Sequence, residues 1–461
     1  MIFLDAFKQQ LVSLNLLPAD TRGGDQSASP VQNNRPVIAY SGGLDSHVLL
    51  HACHVLNLPV RAIHVHHGLQ TLADDWVRHC QQVCSQLDVP LDVIYVNARA
   101  APRQSPEDAA RIARYAALKN AMHTGESLLT AQHGDDQSET FLLQLMRGAS
   151  AAGLAAMPAQ RSLGEVMHKR PLLRFSREQI EAYAIKNKLQ WIEDPSNQDT
   201  AFDRNFIRQR VMPVLKERWP TLNSNLSHSV NLQQENLEIL EAMAAIDLAT
   251  VSTQSQNRLS ISRLLQLGRV RQKNVLRYWL KQHSPHQPTR KLLDEIHHGV
   301  LSASDDACPS VKWGKSVIRR YQNSLYLLPQ TDEFDAMQSF IWQADSALEI
   351  DGVGILSRQM QSERQPGAQG LNQRYFDKPL FIRFRQGGER SQLAGQSHSR
   401  RLKSLLQEAG IPPWQRQQIP LIYCEEKLIA VSNLWLAAGS EALEGEASWL
   451  VDVQDLAAKE G

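Results

Sequence analysis

Residues 37–46 read Val-Ile-Ala-Tyr-Ser-Gly-Gly-Leu-Asp-Ser. Four apolar or aromatic residues run into a Ser-Gly-Gly turn, and an amphipathic helical pattern follows at His47-Val48-Leu49-Leu50-His51-Ala52-Cys53. This wording commits the chain to a buried strand that turns sharply into a helix start. Such a junction is an anion site, because the first amides of a helix point outward without partners. Gly42 and Gly43 remove the side chains that would hold a phosphate away from the backbone N–H groups. Ser41 and Ser46 add hydroxyls, and Leu44 follows the turn. Asp45 brings a carboxylate to a phosphate site, which makes sense when a metal ion sits between them. The longer Gly-rich loop that ends in Gly-Lys-Ser/Thr is a different device, and its lysine is missing here.

The surrounding pattern fixes the fold class. Strands are expected at 36–40, 60–66, 91–97 and 127–131, with helices at 45–56, 71–88, 105–123 and 136–147. Strands spaced by helices of this length mean parallel βαβ units in a doubly wound sheet. Ligands then bind at the carboxyl ends of strands, near the switch in strand order, which would bring the loop at 41–46 to the loop at 132–139. Ser105-Pro106-Glu107-Asp108 and Ser176-Arg177-Glu178-Gln179 mark helix starts. With 461 residues the chain needs two or three domains. The α/β domain is expected over 1–220 and a mostly helical one over 221–345, with a hairpin at 317–327. A small α+β unit is expected over 370–461. Residues 18–35 and 346–373 read as polar connectors.

Five scattered cysteines, with no Cys-x-x-Cys pair, argue against disulfides and cysteine-bound clusters and fit a cytoplasmic protein. The first segment is amphipathic and charged, neither a signal peptide nor a membrane span. A net charge of +1 leaves any polyanion contact to local basic faces.

Residues 130–140, Thr-Ala-Gln-His-Gly-Asp-Asp-Gln-Ser-Glu-Thr, form the second dense motif. Asp135 is a candidate helix cap, and Asp136 and Glu139 share one helix face. Two carboxylates facing a phosphate site can hold a metal ion, bind an ammonium group or accept its proton. His64-Val65-His66-His67 reads better as a strand end lining a pocket than as a zinc site, since no acidic or cysteine ligand adjoins it. Arg111 and Arg114 share a helix face, and a guanidinium there can stabilise charge on an attacked phosphate. Three basic segments, Arg204/Arg208/Arg210, Lys273/Arg277/Lys281 and Arg400/Arg401/Lys403, together suggest a polyanion held across domains. Trp414, after two prolines, reads as a structural rather than a base-stacking residue.

Taken in order, these motifs resemble the tRNA(Ile)-lysidine synthetases, within the ATP-pyrophosphatase (PP-loop) enzymes of the adenine nucleotide α hydrolase-like fold. The resemblance rests on Ser41–Ser46, His66-His67-Gly68-Leu69, Arg111–Tyr115, His133–Thr140, Arg170-Pro171-Leu172-Leu173, Trp191–Asn197, Arg204–Arg208 and Gly410–Trp414. Gln132 stands where many relatives carry a second His. The resemblance implies that the wobble cytidine of the CAU-anticodon isoleucine tRNA is adenylylated by ATP, and that free lysine then displaces AMP. It implies ATP contacts at Ser41, Gly42, Gly43, Leu44, Asp45, Ser46, His64 and His133, and Mg²⁺ at Asp45 and Asp136. Asp45, Arg111, Asp136 and Glu139 are the implied catalytic set, and Arg204, Arg208, Lys273, Arg277, Arg400, Arg401 and Lys403 the implied tRNA contacts. Free L-lysine is the second partner, no membrane is involved, and pairing of two copies is left open. The rivals are another PP-loop tRNA-modifying enzyme, such as a 2-thiocytidine synthetase, and a binding module without catalysis.

Overall fold

A computed structural model describes residues 2–18, 35–66, 68, 73–97, 106–284, 288–304, 307–330, 334–343, 346–362, 364, 370–375 and 378–454, with the side chains of 106–108 excepted. Most of the 18–35 connector, His67, Leu69 and Ser105 lie outside the described residues. The chain divides into two units, Met1–Met243 and Ala244–Gly461.

In the first unit, strands β1 (Arg35–Ala39), β2 (Arg61–His66), β3 (Leu91–Tyr95) and β4 (Glu126–Leu129) alternate with helices. Helix α1 is Ile2–Ser13, α2 Leu44–Val55, α3 Ala73–Gln86, α4 Pro106–Asn120 and α5 Gly134–Met146. The expected strands and helices therefore form, with ends shifted by one or two residues in most cases. Two strands lay unread in the sequence: β5 (Gln160–Leu163) and β6 (Val166–Lys169), joined by a turn at Gly164. Their polar faces hide the alternation that marks a strand. The sheet order is β3-β2-β1-β4-β6-β5, all parallel except β5 against β6. Winding reverses between β1 and β4. Neighbouring strands diverge into different connections there, so the segments after β1 and β4 open onto one crevice.

One face of the sheet is sealed by Ile38, Val48, Leu49 and Leu129, onto which α1 docks through Phe7 and Leu11. Lys169, buried at the end of β6, donates to the Leu14 carbonyl at 2.7 Å. Ser176 caps the helix Arg177–Lys186 as its sequence predicts, accepting from the Gln179 amide at 3.2 Å. The helix Leu222–Val251 begins beyond Pro220, yet its early residues stay with the first unit. Asn223 donates to Asp135 at 2.8 Å, and Gln234 donates to the Ala155 carbonyl at 3.0 Å.

The second unit begins with helices, among them Arg269–His283, and the expected hairpin. The hairpin is β9 (Ser316–Tyr321) and β10 (Ser324–Pro329), closed by Gln322 with φ 49°. It belongs to a four-stranded antiparallel sheet with β7 (Arg258–Ser260) and β8 (Ser310–Trp313). The connector reading of 346–373 is corrected. Strands Leu348–Ile350, Gly354–Gln361 and Leu371–Asn372 lie there. Gly354–Gln361 pairs antiparallel with Ser448–Gln454 from Ile355↔Gln454 to Gln361↔Ser448. Long-range pairing overrides the weak strand preference of a Gln- and Ser-rich segment. Trp414 is structural. Its ring sits edge-on to Tyr326 at 5.3 Å and Tyr321 at 6.1 Å, with the Arg319 guanidinium 5.3 Å from its centroid.

Candidate active site

The loop after β1 folds as its residues dictate. Gly42 has φ +83°, a region that L side chains avoid, and a Cβ there would meet Ile192 Cδ1 at 2.5 Å and Cys80 Sγ at 2.9 Å. Gly43 is different. Its φ is −74°, and a Cβ would meet nothing closer than Ser41 Oγ at 3.5 Å. Neither backbone nor internal packing asks for glycine at 43. The Ser46 hydroxyl donates to the Gly43 carbonyl at 3.0 Å and lies 3.1 Å from Ser41 Oγ, so both serines brace the turn. No side chain caps α2 at Gly43, which leaves its first amides for a ligand. Below the loop, His64 is 4 % exposed, and its Nδ1 lies 2.9 Å from the Tyr40 carbonyl. It can hold the strand end that feeds the loop, rather than line an open pocket.

The segment after β4 meets this loop. His133 Nε2 lies 3.7 Å from Asp45 Oδ1 and 3.5 Å from Asp136 Oδ2, so one buried imidazole stands between carboxylates from the two motifs. The Asp136 carboxylate also reaches back to accept from the His133 amide at 3.0 Å. Asp135 does not cap the helix. It accepts from the Arg177 amide at 2.8 Å, Lys216 Nζ at 2.6 Å and Asn223 at 2.8 Å, and so ties three segments together. Burial opposes ionisation of Asp135 and Asp136, but these donors, and His133, Arg204 and Arg208 around Asp136, hold both carboxyls below the usual range.

Arg204 and Arg208 are not a solvated basic face. Arg204 donates to Glu139 and Asp136, each at 2.9 Å. Arg208 donates to Glu139 at 2.6 and 2.9 Å and to Asp136 at 3.0 Å. Burial lowers the Arg208 pKa, but the Glu139 and Asp136 carboxylates outweigh it and the net shift is upward. Arg208 sits in a π-helical turn, Ile207–Val211, just before Pro213. A proline has no amide to continue the ladder, and a widened turn upstream is the usual relief.

Sequence reasoning missed Arg177, whose guanidinium donates to Asp45 Oδ1 at 2.5 Å. It opens a capped helix, and nothing in its neighbourhood in sequence points to Asp45. Lys216 and Asn223 were missed for the same reason. Arg111 lies over the Tyr115 ring at 5.8 Å, beside Arg161 rather than beside the carboxylates. The remaining basic residues lie in the second unit. Lys273 pairs with Asp294 at 2.5 Å, and burial pushes the Arg277 pKa down. Arg400 pairs with Glu408, while Arg401 and Lys403 are exposed.

Among the described residues no group of three His, Cys, Asp or Glu side chains is arranged to hold a metal alone. Asp45 and Asp136, which flank His133 Nε2, are oxygen donors of the kind magnesium takes, its other oxygens coming from phosphates and water. Among the described residues no helix is long and apolar enough to cross a membrane.

Comparison with known proteins agrees over almost the whole chain. Residues 19–215 match the PP-loop domain family, 259–326 the TilS substrate binding domain and 380–453 the TilS substrate C-terminal domain. A tRNA(Ile)-lysidine synthase of Coxiella burnetii is 42% identical over 427 residues, covering 92% of this chain and 94% of that protein. One of Methylococcus capsulatus is 40% identical, covering 87% and 92%. Among solved structures, the U34-tRNA thiolase NcsA from Methanococcus maripaludis superposes with a TM-score of 0.40 at 15% identity, covering 51% of this chain and 79% of that one. With identity of this order spread over nine-tenths of the Coxiella relative and of this chain alike, the protein belongs to the tRNA(Ile)-lysidine synthase family.

Proposed function

We propose that the chain joins lysine to carbon 2 of the wobble cytidine in the CAU-anticodon isoleucine tRNA, in two steps on one crevice. The cytosine O2 attacks the α-phosphate of ATP, and pyrophosphate leaves. The ε-amine of free lysine then attacks carbon 2, its N–C bond forms as the bond to O2 breaks, and AMP departs. The observation that carries this reading is the convergence of Asp45 and Asp136 on one imidazole beside an uncapped helix start. Amides around Gly42 and Gly43, with Leu44 just inside the helix, would receive the pyrophosphate. Gly43, free of any internal need for glycine, would be required by that approach. Asp45 and Asp136 would hold Mg²⁺, which when bound neutralises the departing oxygens.

Lysine arrives mostly protonated, with about one molecule in a few thousand bearing a free amine at pH 7. Asp136 and Glu139 are the acceptors for its ammonium group or its proton. We divide the chain for this work into a catalytic part over 1–220, a tRNA-binding part over 221–345 and a second tRNA-binding part over 370–461. Lys273, Arg277, Arg400, Arg401 and Lys403 are the proposed RNA contacts there. A thiolating reading is disfavoured at Cys80, the cysteine beneath the loop, where burial pushes the thiol up to about 12.

Radiolabelled ATP should split into AMP and pyrophosphate with net lysine incorporation only when both tRNA and lysine are present. Steady turnover of ATP to AMP that ignores lysine would exclude this reaction. Asp136→Asn should abolish lysine incorporation while leaving tRNA affinity nearly intact; surviving incorporation would remove Asp136 from the mechanism.

A further inference from the structure

Three guanidinium groups gather around one tyrosine, apart from the carboxylates that the other arginines of the crevice serve. Arg111 and Arg161, both exposed, lie 5.8 and 5.9 Å from the centroid of the Tyr115 ring. Arg170 is only 3 % exposed. It donates to the Pro158 carbonyl at 2.7 Å and lies 3.3 Å from His168 Nδ1, and its buried Nε has no partner. Among the described residues no carboxylate pairs with any of the three. Burial and the three arginines push the enclosed His168 down to about 3, so it adds no charge of its own but registers theirs. Like charges held together without an acid mark a place built for an anion.

Two features say which anion. The cluster communicates with the active site: His168 Nε2 lies 2.7 Å from Thr130 Oγ1, which bonds the Gln132 side chain next to His133. It also sits at the rim. Arg161 is on β5, the edge strand, whereas the loop at 41–46 follows β1 in the middle of the sheet. ATP belongs at the centre. A polymer whose base reaches inward keeps its backbone at the edge, and the exposed forks of Arg111 and Arg161 match phosphate oxygens.

We propose that the exposed Arg111 and Arg161, backed by the buried charge of Arg170 and arranged around Tyr115, form a phosphodiester subsite that grips the RNA backbone beside the base being modified. This rests on the reading that tRNA is the substrate. The test uses the full chain and an unmodified CAU-anticodon isoleucine tRNA transcript, with binding followed by fluorescence anisotropy over a KCl series. Arg161→Ala should bind RNA about tenfold more weakly. The slope of log affinity against log salt should shrink by about 0.7–1. ATP affinity by equilibrium dialysis should not change. Arg161→Lys should restore the slope while recovering only part of the affinity. Unchanged RNA affinity and slope in Arg161→Ala would overturn the proposal, as would a loss of ATP affinity with RNA binding intact, which would give the anion to the nucleotide. If the unaltered protein itself fails to bind the transcript, the substrate reading falls, and the subsite falls with it.

Discussion

At the scale of single residues, the two glycines of the loop separate cleanly. Gly42→Ala places a methyl group against Ile192 and Cys80 in a left-handed backbone. It should lower stability by about 1–2 kcal/mol in urea denaturation. Gly43→Ala has room and an ordinary φ, so stability should hold or rise by about 0.4–1 kcal/mol, while ATP affinity falls if phosphate approaches that Cα. Equal stability losses in both would contradict this division. The motif Ser41–Ser46 was legible because a strand, a glycine turn and a helix start are written side by side. Arg177 was not, since the 2.5 Å contact with Asp45 spans 132 residues and depends on where the sheet delivers a distant helix. Arg204 and Arg208 were legible as a basic cluster but not as partners of Asp136 and Glu139, because composition cannot tell a guanidinium facing solvent from one facing Glu139.

At the scale of elements, β6 and α2 carry a buried pH liability. Burial comes first among the causes that push His168 down to about 3, and also His47, on α2, to about 4. Unfolding frees both to take up a proton near the ordinary histidine value of about 6.5, so the unfolded chain binds more protons below that pH. Stability should therefore decline as pH falls from about 6.5 towards 4. The urea midpoint measured across that window checks it, and a flat profile would contradict the burial of these rings. His168→Gln should flatten part of the slope. Trp414→Ala, which empties the space between Tyr321, Tyr326 and Arg319, should cost about 2 kcal/mol in the second unit. The parallel strands were legible because apolar runs punctuated by turns need no partner to be recognised. The strands at 160–169 and 348–372 were not, because polar segments become strands only when a neighbour supplies the hydrogen bonds.

For the molecule as a whole, a net charge of +1 conceals how the charge is placed. RNA binding should weaken steeply with salt although the total is near neutral, because the local clusters set the slope. Around the crevice, Asp45, Asp135, Asp136 and Glu139 already face Arg177, Lys216, Arg204 and Arg208. Four anions meet four cations. An ammonium ion drifting in finds its acceptors already satisfied, and gains little until some negative newcomer coaxes the guanidiniums aside. On the proposed mechanism, this neutrality would set the sequence of arrival: nucleotide leads, amine follows. Calorimetry should find lysine uptake feeble in the unliganded protein and sharply improved once a non-cleavable ATP analogue and magnesium are present.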